Sequence, residues 1–170
     1  MQQTRQEIRK QVSKLLRENE VTHSPVPVEK IAQSLNIQVR FEEADDDLSG
    51  ALIRDPKGRV VIGVNSAHHP NRQRFTVAHE IGHFILHKGI SLHVDEDFRV
   101  NLRDGSVNRD EIQANAFAAE LLMPTEFIEK DTKKLGQVDQ QALERLARRY
   151  QVSARAMEIR LTNLGLWTPL

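Results

Sequence analysis

The feature that most constrains this chain is a pair of histidines one helical turn apart in an apolar window. Residues 79 to 83 read His-Glu-Ile-Gly-His, and apolar residues flank them on both sides. At about 100° per residue, His79 and His83 project from one face of a helix, with Glu80 beside them. A helix this apolar must be largely buried, and buried imidazoles need polar partners. The pattern therefore predicts a buried helix in which His79 and His83 bind one divalent metal ion.

The lack of cysteine limits the residues that could complete such a site. The chain has no Cys among its 170 residues, which excludes thiolate ligands, disulfides and cysteine nucleophiles. A metal would have to be bound by histidine and carboxylate groups, a donor set that suits zinc. The alternative is a core helix whose histidines hydrogen-bond to backbone carbonyls, but the combination of two histidines with Glu80 favours the metal.

A catalytic zinc site needs a third protein ligand and an open position for water, whose pKa the metal lowers towards ~7. Residues 111–124 have a helical pattern that places Glu111, Asn115 and two alanines along one face. Small alanines allow a close approach to the His79 helix. Glu111 is the best candidate for the third ligand, although a Glu in the first turn of a helix is also favoured by the helix dipole. Asp110 and then Glu120 rank below it.

Three further residues near these motifs have weaker claims on the site. His87 follows His83 by four residues, which suits a hydrogen bond to a ligand or contact with substrate, or only the dipole at a helix end. Asn115 faces the metal side and could orient a ligand or pair with backbone. His93 lies in the polar stretch 91–106, which is typical of a functional or mobile loop. His93 could approach the site if this loop closed over it, but no pattern in the sequence assigns it there.

The chain as a whole predicts a mainly helical α+β fold. Alternating and β-prone runs predict a small antiparallel sheet of about three strands, at Ile37–Phe41, Ala51–Ile53 and Val60–Ile62. Helical periodicity covers much of the rest, at about 4–35 with a break at the prolines, 70–88, 110–122, 124–131, 139–149 and 153–164. We expect residues 1–136 to form the domain with the metal site and residues 137–170 to form a helical pair packed on the same domain.

Two segments together resemble a known family. Residues 74–83 read RFTVAHEIGH, and residues 111–124 read EIQANAFAAELLMP. They look like the ImmA/IrrE family of bacterial metallopeptidases, and weaker similarity runs over about residues 25–166. The resemblance implies a zincin-like fold, one zinc ion per chain and hydrolysis of peptide bonds.

The resemblance also assigns roles to individual residues. It implies that His79, His83 and Glu111 bind the zinc ion, and that Glu80 is the general base that activates water. The substrate that it implies is a protein, often a helix-turn-helix transcriptional repressor, cleaved in stress response or mobile-element regulation.

The C-terminal helical pair suggests a second class of function. Its two helices join at a tight turn near Val152 and Ser153, which resembles a DNA-binding helix-turn-helix. Residues 138–170 contain five arginines and three acidic residues, and the whole chain has 24 basic and 24 acidic residues. This charge is too small to favour nucleic-acid binding through phosphates. A DNA- or protein-binding regulatory module without peptidase activity is the alternative to an enzyme.

The sequence also bears on the compartment. The N-terminus is too polar for a secretory signal, and the apolar stretches are far shorter than the ~20 residues that span a bilayer. We therefore expect a cytoplasmic protein with no membrane contact. No feature indicates the oligomeric state.

Overall fold

A computed structural model of the chain describes residues 4–89, 91–96, 108–135 and 138–168. Within these ranges the chain forms seven helices and four strands. The helices are α1 (Arg5–Glu18), α2 (Val28–Ser34), α3 (Pro70–Leu86), α4 (Arg109–Leu122), α5 (Thr125–Leu135), α6 (Gln140–Tyr150) and α7 (Ala154–Asn163). The strands are β1 (Ile37–Glu42), β2 (Leu48–Arg54), β3 (Val60–Asn65) and β4 (Leu92–Glu96). The predicted class, mainly helical α+β, is confirmed. None of the helices in the described ranges has the length and apolar character needed to cross a membrane.

The sheet differs from the expected three antiparallel strands in the direction of its first strand. The strand order is β1-β3-β2-β4, and β1 runs parallel to β3 while the other neighbours are antiparallel. The acidic segment 43–47 crosses the end of β3 to reach the other side. The buried side chain of Asn65 holds this crossing, because its amide donates to the carbonyl oxygens of Ala44, Asp45 and Leu48. The connection is therefore a crossover and not a hairpin.

The sheet also has a fourth strand that the sequence pattern does not predict. Within the polar stretch expected to be a loop, Leu92–Glu96 pairs with β2, and His93 lies opposite Leu52. The exposed side chains of Leu92 and Val94 alternate with the half-buried ones of His93 and Asp95, as a strand requires. The remainder of the predicted loop, residues 97–107, lies outside the described residues.

Helix α3 lies between the sheet and α4, and both contacts are unusually close. Gly50 of β2 packs against Thr76 of α3, where any larger residue would collide with that side chain. On the other side of α3, a Cβ atom at Gly82 would lie 3.2 Å from backbone atoms of Ala114 and from Cβ of Phe117. These contacts bury the middle of α3 and bring its histidines up to α4.

The C-terminal helices α6 and α7 pack against α4 and α5 through buried polar contacts. The Tyr150 hydroxyl donates to Asp131 at 2.8 Å. Arg160 forms an ion pair with Glu120 and donates to the carbonyl oxygen of Met123. These contacts tie the helical pair to the helix that carries Glu111. The expected boundary at residues 136 and 137 lies outside the described residues, so the division into two parts stays a prediction.

Candidate metal centre

Four side chains from three elements converge beside the middle of α3. His79 and His83 come from α3, His93 from β4 and Glu111 from α4, and one donor atom of each lies within 4.8 Å of all the others. His79 and His83 are buried, and the other two are half-buried. The structure therefore brings together the three residues that the sequence proposes as ligands, and it adds His93.

The spacing of the three proposed ligands matches that of ligands around one ion. The two Nε2 atoms of His79 and His83 are 3.1 Å apart. The Glu111 carboxylate places Oε2 at 3.2 Å from His79 Nε2 and Oε1 at 3.2 Å from His83 Nε2. Donor atoms about 2.0 to 2.1 Å from a shared tetrahedral zinc ion would be about 3.3 Å from one another.

A hydrogen bond fixes which nitrogen of His79 carries the proton. Its Nδ1 atom lies 2.9 Å from Oδ1 of Asn115. An amide oxygen can only accept, so Nδ1 donates the proton and Nε2 of the neutral ring keeps its lone pair. That lone pair faces His83 and Glu111.

A chain of two hydrogen bonds does the same for His83. His87 Nε2 lies 3.2 Å from the amide oxygen of Gln113, and His87 Nδ1 lies 3.0 Å from His83 Nδ1. Because Gln113 accepts from Nε2, the free lone pair of a neutral His87 is on Nδ1, where it accepts the proton of His83 Nδ1. The Nε2 lone pair of His83 is thereby left facing the centre. His87 thus contacts a proposed ligand, one of the roles that its spacing suggests.

This arrangement of donors fits a divalent cation. When both imidazoles are neutral, their Nε2 lone pairs are directed at a carboxylate, which is unfavourable unless a positive charge is shared. Burial alone would lower the pKa of His79, but the hydrogen bond with Glu111 and nearby acidic groups outweigh it and raise that pKa. For Glu111, burial is outweighed by hydrogen bonds from His79, His83 and His93, and its pKa is lowered.

Glu80 lies at the same centre but contacts a different histidine. Its side chain is fully buried, and its two carboxylate oxygens lie 3.1 and 3.3 Å from Nδ1 of His93. The Nε2 atom of His93 is 2.7 Å from Oε1 of Glu111. Burial would lower the pKa of His93, but these two carboxylates raise it to about 10. Asp95 also lies near Glu80 and His79, and burial raises its pKa to about 6.

His93 and Asp95 are the residues that the sequence does not assign to this site. The usable pattern is the alternation of Leu92, His93, Val94 and Asp95, which has the period of two expected for a strand with one apolar face.

The two lower-ranked ligand candidates lie elsewhere. Asp110 is 3.5 Å from His87 Nε2 and does not reach the centre. Glu120 is paired with Arg160 and accepts a hydrogen bond from the backbone of Thr125. Neither belongs to the group of four converging donors.

Comparison with known proteins gives consistent matches. A family model described as the IrrE N-terminal-like domain matches residues 32–162. The radiation response metalloprotease IrrE of Deinococcus radiodurans is 37% identical over 114 residues, which cover 64% of this chain and 32% of that protein. The protein of the same name from Deinococcus deserti is 39% identical over 106 residues, covering 59% of this chain and 34% of its own length. This chain thus spans about a third of the length of these curated relatives.

A solved structure shares the fold. A Mycobacterium tuberculosis transcriptional regulator superimposes with a TM-score of 0.64 at 14% identity, over 92% of this chain and 46% of that one. At this identity the likeness concerns the fold alone.

Proposed function

Because this chain belongs to the family of the IrrE N-terminal-like domain, we propose that it is a zinc metallopeptidase. One zinc ion per chain is bound by His79, His83 and Glu111. The observation that carries the proposal is the set of separations of 3.1 to 3.2 Å among these three donors, whose lone pairs face one another. The relatives from the two Deinococcus species are named metalloproteases, which supports the same class of reaction.

The residues around the metal have distinct parts in peptide hydrolysis. When bound, zinc would lower the pKa of a water molecule towards ~7 and polarise the carbonyl of the peptide bond. Glu80 then accepts the proton of the attacking water and passes it to the leaving amine. Asn115 and His87 hold the rings of His79 and His83 in the required tautomer and orientation.

The edge of the sheet supports a peptide as the substrate. Within the described residues β4 pairs only with β2, so its other edge is available to an extended chain. A strand added there would gain backbone hydrogen bonds next to Glu80 and the metal ligands. We propose limited proteolysis of a protein substrate, with a helix-turn-helix transcriptional repressor in stress or mobile-element regulation as the first candidate. The cytoplasmic location stays a prediction.

The metal content and cleavage by matched variants test this proposal. Elemental analysis after mild dialysis should find about one zinc per chain in the wild type and in Glu80→Gln, and much less in Glu111→Ala. The exposed His23→Gln variant is the control for loss of one imidazole. Cleavage of helix-turn-helix repressors encoded near this gene, followed by mass spectrometry, should occur with wild type and not with Glu80→Gln.

Two results would contradict the proposal. A wild-type protein that binds no zinc, even after resupply, would favour the alternative of a DNA- or protein-binding regulatory module that uses α6 and α7. A Glu80→Gln variant that cleaves at the wild-type rate would show that Glu80 is not the base.

A further inference from the structure

We propose that His93 is a fourth protein ligand of the metal, so that the arrangement described here is a closed resting state with no position left for water. The inference rests on the proposed function, because it assumes that a zinc ion occupies the site. It also assigns Glu80 a second task, which is to orient His93 in this state.

The position of His93 is that of a donor. Its Nε2 atom lies 2.7 Å from Oε1 of Glu111, and a His93 nitrogen lies within 4.8 Å of the donor atoms of His79 and His83. The His93 ring stacks on the ring of His83 with 3.7 Å between centroids. Among the described residues, these four side chains form one group of possible metal donors, and four donors complete the coordination typical of a closed zinc site.

All three histidines are held in the same way. The Nδ1 atom of each ring is hydrogen-bonded to a side chain outside the group of four donors, to Asn115 for His79 and to His87 for His83. For His93 the partner is Glu80, at 3.1 Å. A carboxylate that accepts from Nδ1–H leaves the Nε2 lone pair free to bind the metal, which is the usual arrangement behind a ligating histidine. The repeated pattern separates His93 from a residue that only happens to lie nearby.

The closed state would couple two events. In this state His93 fills the fourth coordination position and also hydrogen-bonds to the Glu80 carboxylate. Its departure would therefore open a coordination position for water and free Glu80 to act as the base. His93 lies on β4, which stands at the end of the sheet order among the described strands and pairs irregularly with β2 between Leu48 and Gly50. A strand that is paired on one side has fewer backbone bonds to break when it shifts. Substrate that adds to this edge would therefore act on the element that carries the fourth ligand.

Zinc X-ray absorption on the intact zinc-loaded chain tests the proposal by counting imidazole ligands. We expect three in the wild type and in the His23→Gln control, and two in His93→Gln with the total still four. Zinc affinity of His93→Gln, measured by competition with a chromophoric chelator, should fall at least about tenfold. Acetohydroxamate, a small chelating anion, should lower the wild-type imidazole count from three to two.

The possible failures are distinct. Two imidazoles in zinc-loaded wild type would overturn the fourth-ligand proposal and leave the proposed function intact. Absence of zinc from the wild type would instead overturn the proposed function. If His93→Gln did not fold, the wild-type count and its response to acetohydroxamate would still decide, since three imidazoles that do not change with the anion contradict a displaceable ligand.

Discussion

Asn115 accepts a hydrogen bond from Nδ1 of His79, with 2.9 Å between the two atoms. The residue that fixes the tautomer of one proposed ligand therefore lies on α4, one turn from Glu111, another proposed ligand.

Removal of this acceptor should weaken metal binding without unfolding the protein. In Asn115→Ala the His79 ring loses the partner that keeps its Nε2 lone pair towards the centre. Loss of such a partner costs about 10- to 100-fold in metal affinity, and we expect this change in the zinc dissociation constant from chelator competition. Asn115→Asp keeps an oxygen acceptor and should lose much less affinity. Equal loss in both variants would mean that the hydrogen bond does not hold the ring.

The close contact between α3 and α4 should also control the metal site. In Gly82→Ala the new methyl group would lie 3.2 Å from backbone atoms of Ala114, and the helices must separate by a few tenths of an ångström. Glu111 would move away from His79 and His83, so zinc affinity and thermal stability should both fall.

Gly63→Ala is the matched control for that variant, because its added Cβ finds no atom closer than 4.0 Å. We expect it to keep wild-type zinc affinity. If Gly82→Ala also kept wild-type zinc affinity, the distance between α3 and α4 would not determine how tightly zinc binds.

Removal of the metal should lower the melting temperature of the wild type. A ligand that binds only the folded state at a free concentration of 100 times its dissociation constant adds about 2.7 kcal/mol to the free energy of unfolding. Differential scanning calorimetry with zinc and with a strong chelator should show this difference. The Glu111→Ala variant should respond far less, and an equal response would place the bound zinc elsewhere.

The buried ion pair between α7 and α4 should matter for stability. Arg160→Ala leaves Glu120 buried and without its cation, which costs about 3 to 5 kcal/mol of unfolding free energy when a buried pair is broken. Chemical denaturation measures this loss. Arg155→Ala is the control on the same helix, because its ion pair with Glu158 has an arginine side chain that is 75% exposed, and such pairs are worth below about 1 kcal/mol.

A double variant separates charge from packing at this pair. Arg160→Met with Glu120→Gln removes both charges and keeps most of the volume, so it should be more stable than Arg160→Ala. A loss as large as that of Arg160→Ala would mean that the hydrogen bonds to Met123 and Thr125 contribute more than the charges do.

The helical part of the site could be predicted from the sequence because the spacing of its residues lies within single helices. The spacing of His79 and His83 and the small residues beside Glu111 are fixed by the helical period, and the close packing of Gly82 against Ala114 agrees with the expected approach of the two helices. The role of these residues as ligands stays a prediction that metal analysis must test.

The sheet could not be predicted to the same extent because its pairings are long-range. The parallel direction of β1 depends on hydrogen bonds between Asn65 and a segment some twenty residues earlier. The short run from Leu92 to Glu96 becomes a strand only where β2 offers a partner. The polar surroundings of His93 predict a loop, and no local pattern brings it towards Glu111.

Helix α4 supplies both a proposed ligand and the partners that orient the other two. Glu111, Gln113 and Asn115 lie within five successive residues. Glu111 reaches the centre directly, Gln113 acts on it through His87, and Asn115 acts on it through His79. A slide of one residue along α4 would rotate all three by about 100° and shift them by about 1.5 Å. The donor set thus depends on the register between the two helices. An insertion or deletion between Glu111 and Ala114 would move Glu111 relative to the contact between Gly82 and Ala114 and should abolish zinc binding.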